Sequence, residues 1–314
     1  MHDFSTRAQP HRHHRRGIAA LVVAVFFSTA TPSPVFTAQP AAIDDFELSS
    51  APDLNPLGAE ASPGHDLAIL VVQPGREGLE LSARLTDDGG LIELPITWTI
   101  RNSEGHTVYS DASPGADISV PPGDYAVDIA YGAVRLSSTV TLLEANRLMI
   151  SYVLNAGGLR VLPRVQDMSL PTAKSKSRIF ALGGRQRGKL VAASDVPGEI
   201  VRLPEGDYRV ESRFEAGNAA AVIDVSVKAG RMSAIDIDHK AGVARLAFVG
   251  SPQADVRWNV EDKQGLPIAA VAGLSADIVL LPGTYTASAR VGSETLSATF
   301  EIATGEARDI ILGN

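Results

Sequence analysis

Apolar and polar residues alternate with a period of two along much of the chain after residue 78. Residues 125–131, 134–142 and 296–302 place aliphatic or aromatic side chains at nearly every second position, with polar residues between them. A strand with one buried face produces this pattern. No segment shows a sustained helical period, so the pattern predicts an all-β protein.

A short motif occurs three times and shows that these strands belong to repeats. The segment 120–125, which reads VPPGDY, recurs as LPEGDY at 203–208 and as LPGTY at 281–285. An aromatic residue precedes each motif, and it lies 27, 28 and 27 residues before the tyrosine. We therefore predict three structural repeats with equivalent anchors, namely Trp98 with Tyr125, Phe180 with Tyr208, and Trp258 with Tyr285.

The motif has a physical explanation in a β-sandwich. Proline and glycine supply the turn, and the tyrosine then begins a core strand with its hydroxyl at the corner, as in immunoglobulin-like folds. The predicted fold is three tandem antiparallel β-sandwich domains, Ig-like or transthyretin-like, that follow a signal segment and a disordered linker. The predicted boundaries are 1–30 for the signal peptide, 31–66 for the linker, and 67–156, 157–240 and 241–314 for the sandwiches. Residues 67–72 could add an edge strand to the first sandwich.

These turn-and-strand motifs resemble the prealbumin-like or carboxypeptidase-regulatory-like β-sandwich repeats of exported bacterial proteins, which are also appended to von Willebrand A-type proteins. The resemblance covers residues 79–314 and implies a structural or binding role. Related pilin domains form a lysine–asparagine crosslink with the help of a glutamate four residues after the tyrosine. That position holds Ile129, Ser212 or Ala289 here, so we expect no such crosslink.

The N-terminus predicts export. A basic head with Arg12, Arg15 and Arg16 precedes the apolar run 18–27 and a small-residue cleavage site near Ala30. The expected location is periplasmic or secreted. The alternative is an uncleaved segment that anchors the chain to the inner membrane, although the run has about half of the roughly 20 residues that a membrane-spanning helix needs.

Charge narrows the choice of partners. Removal of residues 1–30 changes the net charge from −8 to −11, because this segment contains four arginines and one aspartate. An acidic protein repels nucleic acid, so a protein or an envelope polysaccharide is the expected partner. No membrane insertion is expected after signal cleavage. The chain also contains no cysteine, which excludes disulfides and a lipid anchor on cysteine.

No catalytic or metal-binding pattern is convincing. His65, His106 and His239 are far apart in the sequence, and no nucleophile-elbow motif occurs. The glycine-rich segment 183–189 has Leu190 where a phosphate loop needs serine or threonine, so we interpret it as a hairpin loop. Asp236 and Asp238 share a strand face, a spacing that could bind a hard cation, but we interpret this face as the solvent side of the strand. We expect no enzyme activity and no cofactor.

One basic cluster interrupts the acidic sequence. Its members are Lys174, Lys176, Arg178, Arg185, Arg187 and Lys189, and no acidic residue lies among them. This cluster is a candidate site for a polyanion or a protein partner, although lysines also commonly protect sheet edges. Two hypotheses follow: a non-catalytic structural or protein-interaction protein of the bacterial envelope, and a carbohydrate- or polyanion-binding accessory subunit of an envelope enzyme or complex.

Overall fold

The computed structural model describes residues 64–168, 170 and 174–313, and these residues form 22 strands. The only other regular element in the described residues is a short 3₁₀ turn, Gly184–Gln186. The predicted signal peptide and nearly all of the predicted linker lie outside the described residues. No helix in the described part of the chain is long and apolar enough to cross a membrane.

The strands fall into three groups, which we call modules 1, 2 and 3. Module 1 comprises β1 (His65–Val71), β2 (Gly78–Arg84), β3 (Ile96–Asn102), β4 (Thr107–Ser113), β5 (Ala116–Ser119), β6 (Gly123–Tyr131), β7 (Val134–Leu142) and β8 (Asn146–Val153). Module 2 comprises β9 (Ala156–Arg164), β10 (Ser175–Ala181), β11 (Leu190–Ser194), β12 (Ile200–Pro204), β13 (Gly206–Phe214), β14 (Ala220–Val227) and β15 (Met232–Asp238). Module 3 comprises β16 (Gly242–Val249), β17 (Val256–Asp262), β18 (Pro267–Ala272), β19 (Ser275–Leu280), β20 (Gly283–Val291), β21 (Glu294–Ile302) and β22 (Ala307–Gly313).

Each module contains two sheets with the same strand order. One sheet has the order β4-β3-β6-β7 in module 1, β11-β10-β13-β14 in module 2 and β18-β17-β20-β21 in module 3. The other sheet has the central order β5-β2-β8, β12-β9-β15 or β19-β16-β22. The second and third strands of this order run parallel to each other, that is β2 with β8, β9 with β15 and β16 with β22, whereas all other pairs are antiparallel. The predicted fold class, tandem β-sandwich domains, is confirmed.

Module 1 has one strand more than the others. β1 pairs antiparallel with β8 over seven residues, so the sheet reads β1-β8-β2-β5. This confirms the expected edge strand, which begins at His65, two residues before the predicted domain. β9 likewise begins at Ala156, the last residue of the predicted first domain. The domain boundaries themselves stay a prediction.

Alternating side chains from both sheets form one core in each module. Leu79 and Leu81 of β2 meet Trp98 of β3 in the first core, and Leu246 of β16 meets Trp258 of β17 in the third. The second core contains Leu159, Ile179 and Val210, and apart from Tyr208 its buried residues are aliphatic. Burial of these apolar faces is the main force that holds each pair of sheets together.

The joints between modules are short and structured. β8 ends at Val153 and β9 begins at Ala156, while β15 ends at Asp238 and β16 begins at Gly242. At the first joint, the Ala133 amide donates a hydrogen bond to the Arg202 carbonyl oxygen, and the Arg202 guanidinium lies 4.9 Å from the centre of the Tyr131 ring. Module 1 is therefore fixed to module 2 by the turn between β6 and β7 as well as by the connecting chain.

The second joint is larger and more apolar. Val165, Phe214, Ala219, Ala241, Val243 and Val279 form a buried cluster shared by modules 2 and 3. Gly217 has φ near 125° and lies against the carbonyl group of Val279, where a side chain would collide with the backbone. The tight approach allows two backbone hydrogen bonds across the joint: the Asn218 amide donates to the Val279 carbonyl oxygen at 3.2 Å, and the Val279 amide donates to the Ala216 carbonyl oxygen at 3.0 Å.

Candidate functional site: module corners, the polar core of module 2 and the basic loop

The three motif tyrosines occupy the same corner in the three modules. Their rings are buried, and their hydroxyls donate to the carbonyl oxygen four residues earlier, at 2.7 Å for Tyr125, 2.7 Å for Tyr208 and 2.9 Å for Tyr285. Burial raises the pKa of Tyr208 to about 12, with a smaller contribution from the charge of Asp207. The Tyr208 hydroxyl therefore stays protonated, and all three hydroxyls act as structural donors that hold the turn against the strand.

The corner of module 3 makes an additional contact with module 2. The Asn218 side-chain amide donates to the Tyr285 hydroxyl at 3.1 Å, and its carbonyl oxygen accepts from the Leu281 amide at 2.8 Å. One side chain of module 2 thus satisfies both the tyrosine and the turn that it closes. The sequence shows Asn218 only as a polar residue in a turn, so this role was missed.

The two tryptophans are equivalent core residues. Trp98 is 0% exposed and Trp258 is 2% exposed. Each indole N–H donates to a backbone carbonyl fifteen residues later, Ser113 at 3.1 Å and Gly273 at 3.0 Å. A sugar platform needs an exposed ring, so neither tryptophan can serve as one.

Phe180 is not the equivalent of the tryptophans, and this prediction is wrong. Trp98 pairs across the sheet with Ile129, and Trp258 pairs with Ala289, each four residues after the motif tyrosine. The residue four after Tyr208 is Ser212, and its partner is Ser177, three residues before Phe180. Phe180 lies on the opposite face of β10 and is only half-buried, because side chains three apart on a strand point to opposite sides. Longer connections in module 2 moved the strand relative to the motif.

The tryptophan site in module 2 is instead polar. Ser175, Ser177 and Ser212 are all at most 5% exposed, and His239 is 0% exposed. The Ser212 hydroxyl and His239 Nε2 are 3.0 Å apart, and the His239 ring lies 4.7 Å from the Phe214 ring. Two inward serines on β10 were a signal of this polar core that the aromatic spacing hid.

His239 is held neutral by its surroundings. Burial lowers its pKa to about 4, and the nearby charge of Asp238 opposes this shift only in part. Its Nδ1 has no hydrogen-bond partner in the described residues, and its backbone amide donates to the Arg164 carbonyl oxygen at 2.8 Å. A serine and a histidine in this geometry could pass a proton, but both side chains are closed off from any substrate. We interpret the pair as part of the core.

The other histidines and the paired aspartates do not form a site. The His65 ring lies 6.0 Å from the Tyr152 ring in a tilted arrangement in module 1, and His106, also in module 1, lies 3.1 Å from the Glu104 carboxylate. Asp236 pairs with Arg164 at 3.0 Å, and Asp238 pairs with Lys240 at 2.6 Å. The described residues contain no group of three or more metal-ligating side chains.

The basic cluster is divided between the two ends of β10. Lys174, Lys176 and Arg178 lie at its start, whereas Arg185, Arg187 and Lys189 lie in the loop after its end. Because a strand rises by about 3.3 Å per residue, Lys176 lies roughly 16 Å along β10 from Ala181, so the cluster is spread along the strand and the loop after it. Lys176 is paired with Glu215 at 3.2 Å. The loop joins the antiparallel strands β10 and β11, which confirms the hairpin interpretation of residues 183–189.

Comparison with known proteins gives one family match, and it concerns module 3. A model of the Rhizobiales growth-associated tandem repeat domain matches residues 248–312, from the end of β16 to β22. None of the curated proteins compared with this chain is similar to it in sequence.

The solved structures that match this chain include a Bacillus protein and two streptococcal pilins. The Bacillus anthracis TIE protein is 15% identical with a TM-score of 0.25, and the match covers 76% of this chain and half of that protein. A streptococcal ancillary pilin is 12% identical with a TM-score of 0.26, covering 76% of this chain and 98% of the pilin. The minor pilin of Streptococcus agalactiae is 13% identical with a TM-score of 0.23, covering 50% of this chain and 95% of that one.

Proposed function

We propose that this protein is an exported, non-catalytic structural and protein-interaction protein of the bacterial envelope with a role in growth. The observation that carries the proposal is the repetition of one closed sandwich, whose third copy matches a growth-associated tandem repeat domain. Such modules present surfaces and edges to partners while their cores stay unchanged. The finer resemblance to carboxypeptidase-regulatory-like repeats and their von Willebrand A-type partners stays a prediction.

The burial of reactive groups supports a role without catalysis. In the described residues, the one serine–histidine pair is enclosed in the core of module 2, and the acidic groups with lowered pKa values are bound to neighbouring donors. The Asp224 carboxylate, for example, is held by the Arg209 guanidinium at 2.8 Å and 2.9 Å. A carboxylate that is already bound by a neighbouring donor is a poor candidate for a general acid or base.

Export and partner binding can be tested together in the source bacterium. A fusion of residues 1–66 to an alkaline phosphatase that is active only outside the cytoplasm should give activity, and replacing Arg15 and Arg16 with glutamate should remove it. A photo-crosslinking residue on the surface of module 3 should capture one recurrent envelope protein, and deletion of the gene should slow growth. An inactive phosphatase fusion would contradict the location, and unchanged growth would contradict the growth role.

Binding of a polyanion is a second candidate, favoured by three exposed basic side chains in one loop. Arg185, Arg187 and Lys189 lie within five residues in the β10–β11 hairpin. Alanine at these three positions should abolish salt-sensitive binding to an acidic polysaccharide, whereas alanine at Lys174, Lys176 and Arg178 removes the same number of charges and is the matched control. Equal loss from both variants would mean that net charge alone, and not the loop, attracts the polymer.

A further inference from the structure

The last strand of each module lies at or near an edge of its sheet, and the modules differ in whether another strand covers that edge. In module 1, this edge belongs to β8 and is covered by β1. In modules 2 and 3, the corresponding strands β15 and β22 pair only with β9 and β16 in the described residues. The fold therefore shows directly what this type of edge accepts, which is an antiparallel strand of seven residues.

β1 is an addition to the sandwich and not one of its core strands. All seven of its residues are exposed, which is true of no other described strand. Leu67, Ile69 and Val71 point toward the core side of the sheet yet stay 51%, 58% and 78% exposed. Backbone hydrogen bonds to β8 are the main interactions that hold β1 in place. This edge thus binds an extended aliphatic segment mainly through its backbone and not through deep pockets for side chains.

Charge distinguishes the two uncovered edges. On β15, Asp236 and Asp238 are exposed and engaged with Arg164 and Lys240, and charged side chains of this kind discourage an added strand. On β22, the charges are confined to its first half, where Arg308 pairs with Glu306 at 2.9 Å. The second half, residues 310–313, carries no charge, and Ile311 is 64% exposed.

We infer that the free edge of β22 is a docking site for an extended, aliphatic strand of a partner protein, which adds antiparallel as β1 does on β8. This inference rests on the proposed interaction function and names the kind of segment that the partner contributes. The partner segment has about seven residues with β1-like composition and no proline, because proline interrupts a sheet ladder. Main-chain hydrogen bonds provide most of the affinity, and Ile311 provides an apolar contact beside them.

A peptide with the sequence of residues 64–73 is the direct probe. It is added to the full, isotope-labelled chain, and the amide resonances of β22, β15 and β8 are followed by NMR. We expect saturable shifts in β22 and its neighbour β16. A peptide with proline in place of both Ile69 and Leu70 should bind at least about tenfold more weakly, because one of two adjacent residues must direct its N–H to the docking edge.

A matched pair of variants locates the edge on the chain. Ile311→Lys should reduce peptide binding about tenfold or more, whereas Met232→Lys on β15, where Met232 is 53% exposed, should leave it unchanged. Ile311→Thr serves as the second variant if the lysine variant does not give a folded spectrum. It should also weaken binding, because the apolar contact is lost.

Three outcomes of the peptide experiments would overturn the inference. They are no shift in β22 at about 1 mM peptide, shifts confined to β8 by exchange with β1, and equal effects of the Ile311 and Met232 variants. Concentration-dependent self-association of the chain through β22 would also overturn it, since the occupant would then be a second copy. The peptide experiment uses purified protein, so its failure is independent of whether export and growth effects are found in cells.

Discussion

The core of module 2 differs from those of modules 1 and 3 at the position where the other two are largest. Trp98 and Trp258 fill that position in modules 1 and 3, and each indole is also hydrogen-bonded to the backbone. Module 2 has Ser177 there, with Ser212 opposite and His239 alongside. The strand order is the same in all three. The backbone plan of this repeat therefore does not depend on an aromatic centre.

Module 2 obtains part of its packing from its neighbours. His239 follows the last strand of the module, and Phe214, on which its ring lies, belongs to the apolar cluster shared with module 3. Modules 1 and 3 fill the centre of the core with a tryptophan from their own sheets, whereas module 2 fills it partly with His239, which lies at its boundary with module 3. The second joint is therefore part of the core of module 2, and four experiments test this difference between the modules.

The largest expected effect is on module 3. Trp258→Ser places the module 2 residue in an aliphatic core and should lower the free energy of unfolding by about 3–5 kcal/mol, through lost burial and a cavity. Chemical denaturation followed by hydrogen exchange of the module 3 amides measures it, and Trp98 fluorescence reports module 1 as the internal control. Ser177→Ala should cost only about 1 kcal/mol. A similar loss of unfolding free energy in both variants would mean that Trp258 and Ser177 contribute equally to their cores.

Acid should destabilise module 2 more than the others. The pKa of His239 is lowered to about 4 in the folded state from an ordinary 6.5, so the unfolded chain binds more protons between these values. The stability from the neutral ring is complete above pH 6.5 and falls as the pH drops toward 4, by about 3 kcal/mol at most. Hydrogen exchange at pH 7 and pH 4 measures the change for each module.

The control for the acid experiment is His239→Gln, which cannot titrate. Carboxylates such as Asp224 and Asp238 also titrate in acid, so the informative quantity is the difference between the two proteins. The variant should lose less stability between pH 7 and pH 4 in module 2 and be unchanged in modules 1 and 3. Identical pH profiles would show that His239 is not a buried neutral group.

The tyrosine corners should differ by a smaller amount. Tyr125→Phe removes one hydrogen bond and should cost about 1 kcal/mol. Tyr285→Phe also removes the acceptor of the Asn218 amide, so it should cost more and should additionally raise hydrogen exchange at residues 216–218 of the joint. Asn218→Ala should reproduce the effect at the joint while the hydrogen bond from Tyr285 to Leu281 stays intact. Equal costs for the two tyrosines would argue against the joint contact.

The smallest effect belongs to the basic loop. Arg187 and Lys189 are exposed in a hairpin loop away from the polar core. Their replacement by alanine should change the free energy of unfolding of module 2 by no more than about 0.5 kcal/mol. Denaturation under the same conditions as for Ser177→Ala provides the measurement. A larger loss would show that the loop supports the core of module 2.

Local signals predicted the fold, because turns and alternating strands depend on residues close together in sequence. The Pro-Gly bend before Tyr125 and the alternation after it were enough to place β6 and β7. Phe180 was misplaced because residue spacing counts loop residues as well as strand residues, whereas the register of β10 is fixed by pairing with β13.

Most of the site depends on contacts between distant residues. Asn218 meets Tyr285 and Leu281, which lie more than 60 residues later, and the edge of β22 becomes recognisable only beside its counterpart β8. The split of the basic cluster likewise follows from the extension of β10 between its two halves. Sequence patterns do not contain these distances, although paired serines inside a strand do indicate a polar core.

The parallel ladder in each module has a mechanical consequence. In every copy, two strands of the sandwich lie side by side in parallel over seven residue pairs. These pairs are β2 with β8, β9 with β15 and β16 with β22. When the first strand of such a pair is pulled from its N-terminus and the second from its C-terminus, the two are drawn in opposite directions, so their hydrogen bonds are sheared together and not opened one at a time. In module 1, β1 precedes β2 and is antiparallel to β8, so it is peeled from β8 before the pair is loaded. Tension along the polypeptide thus meets the same brace three times in succession.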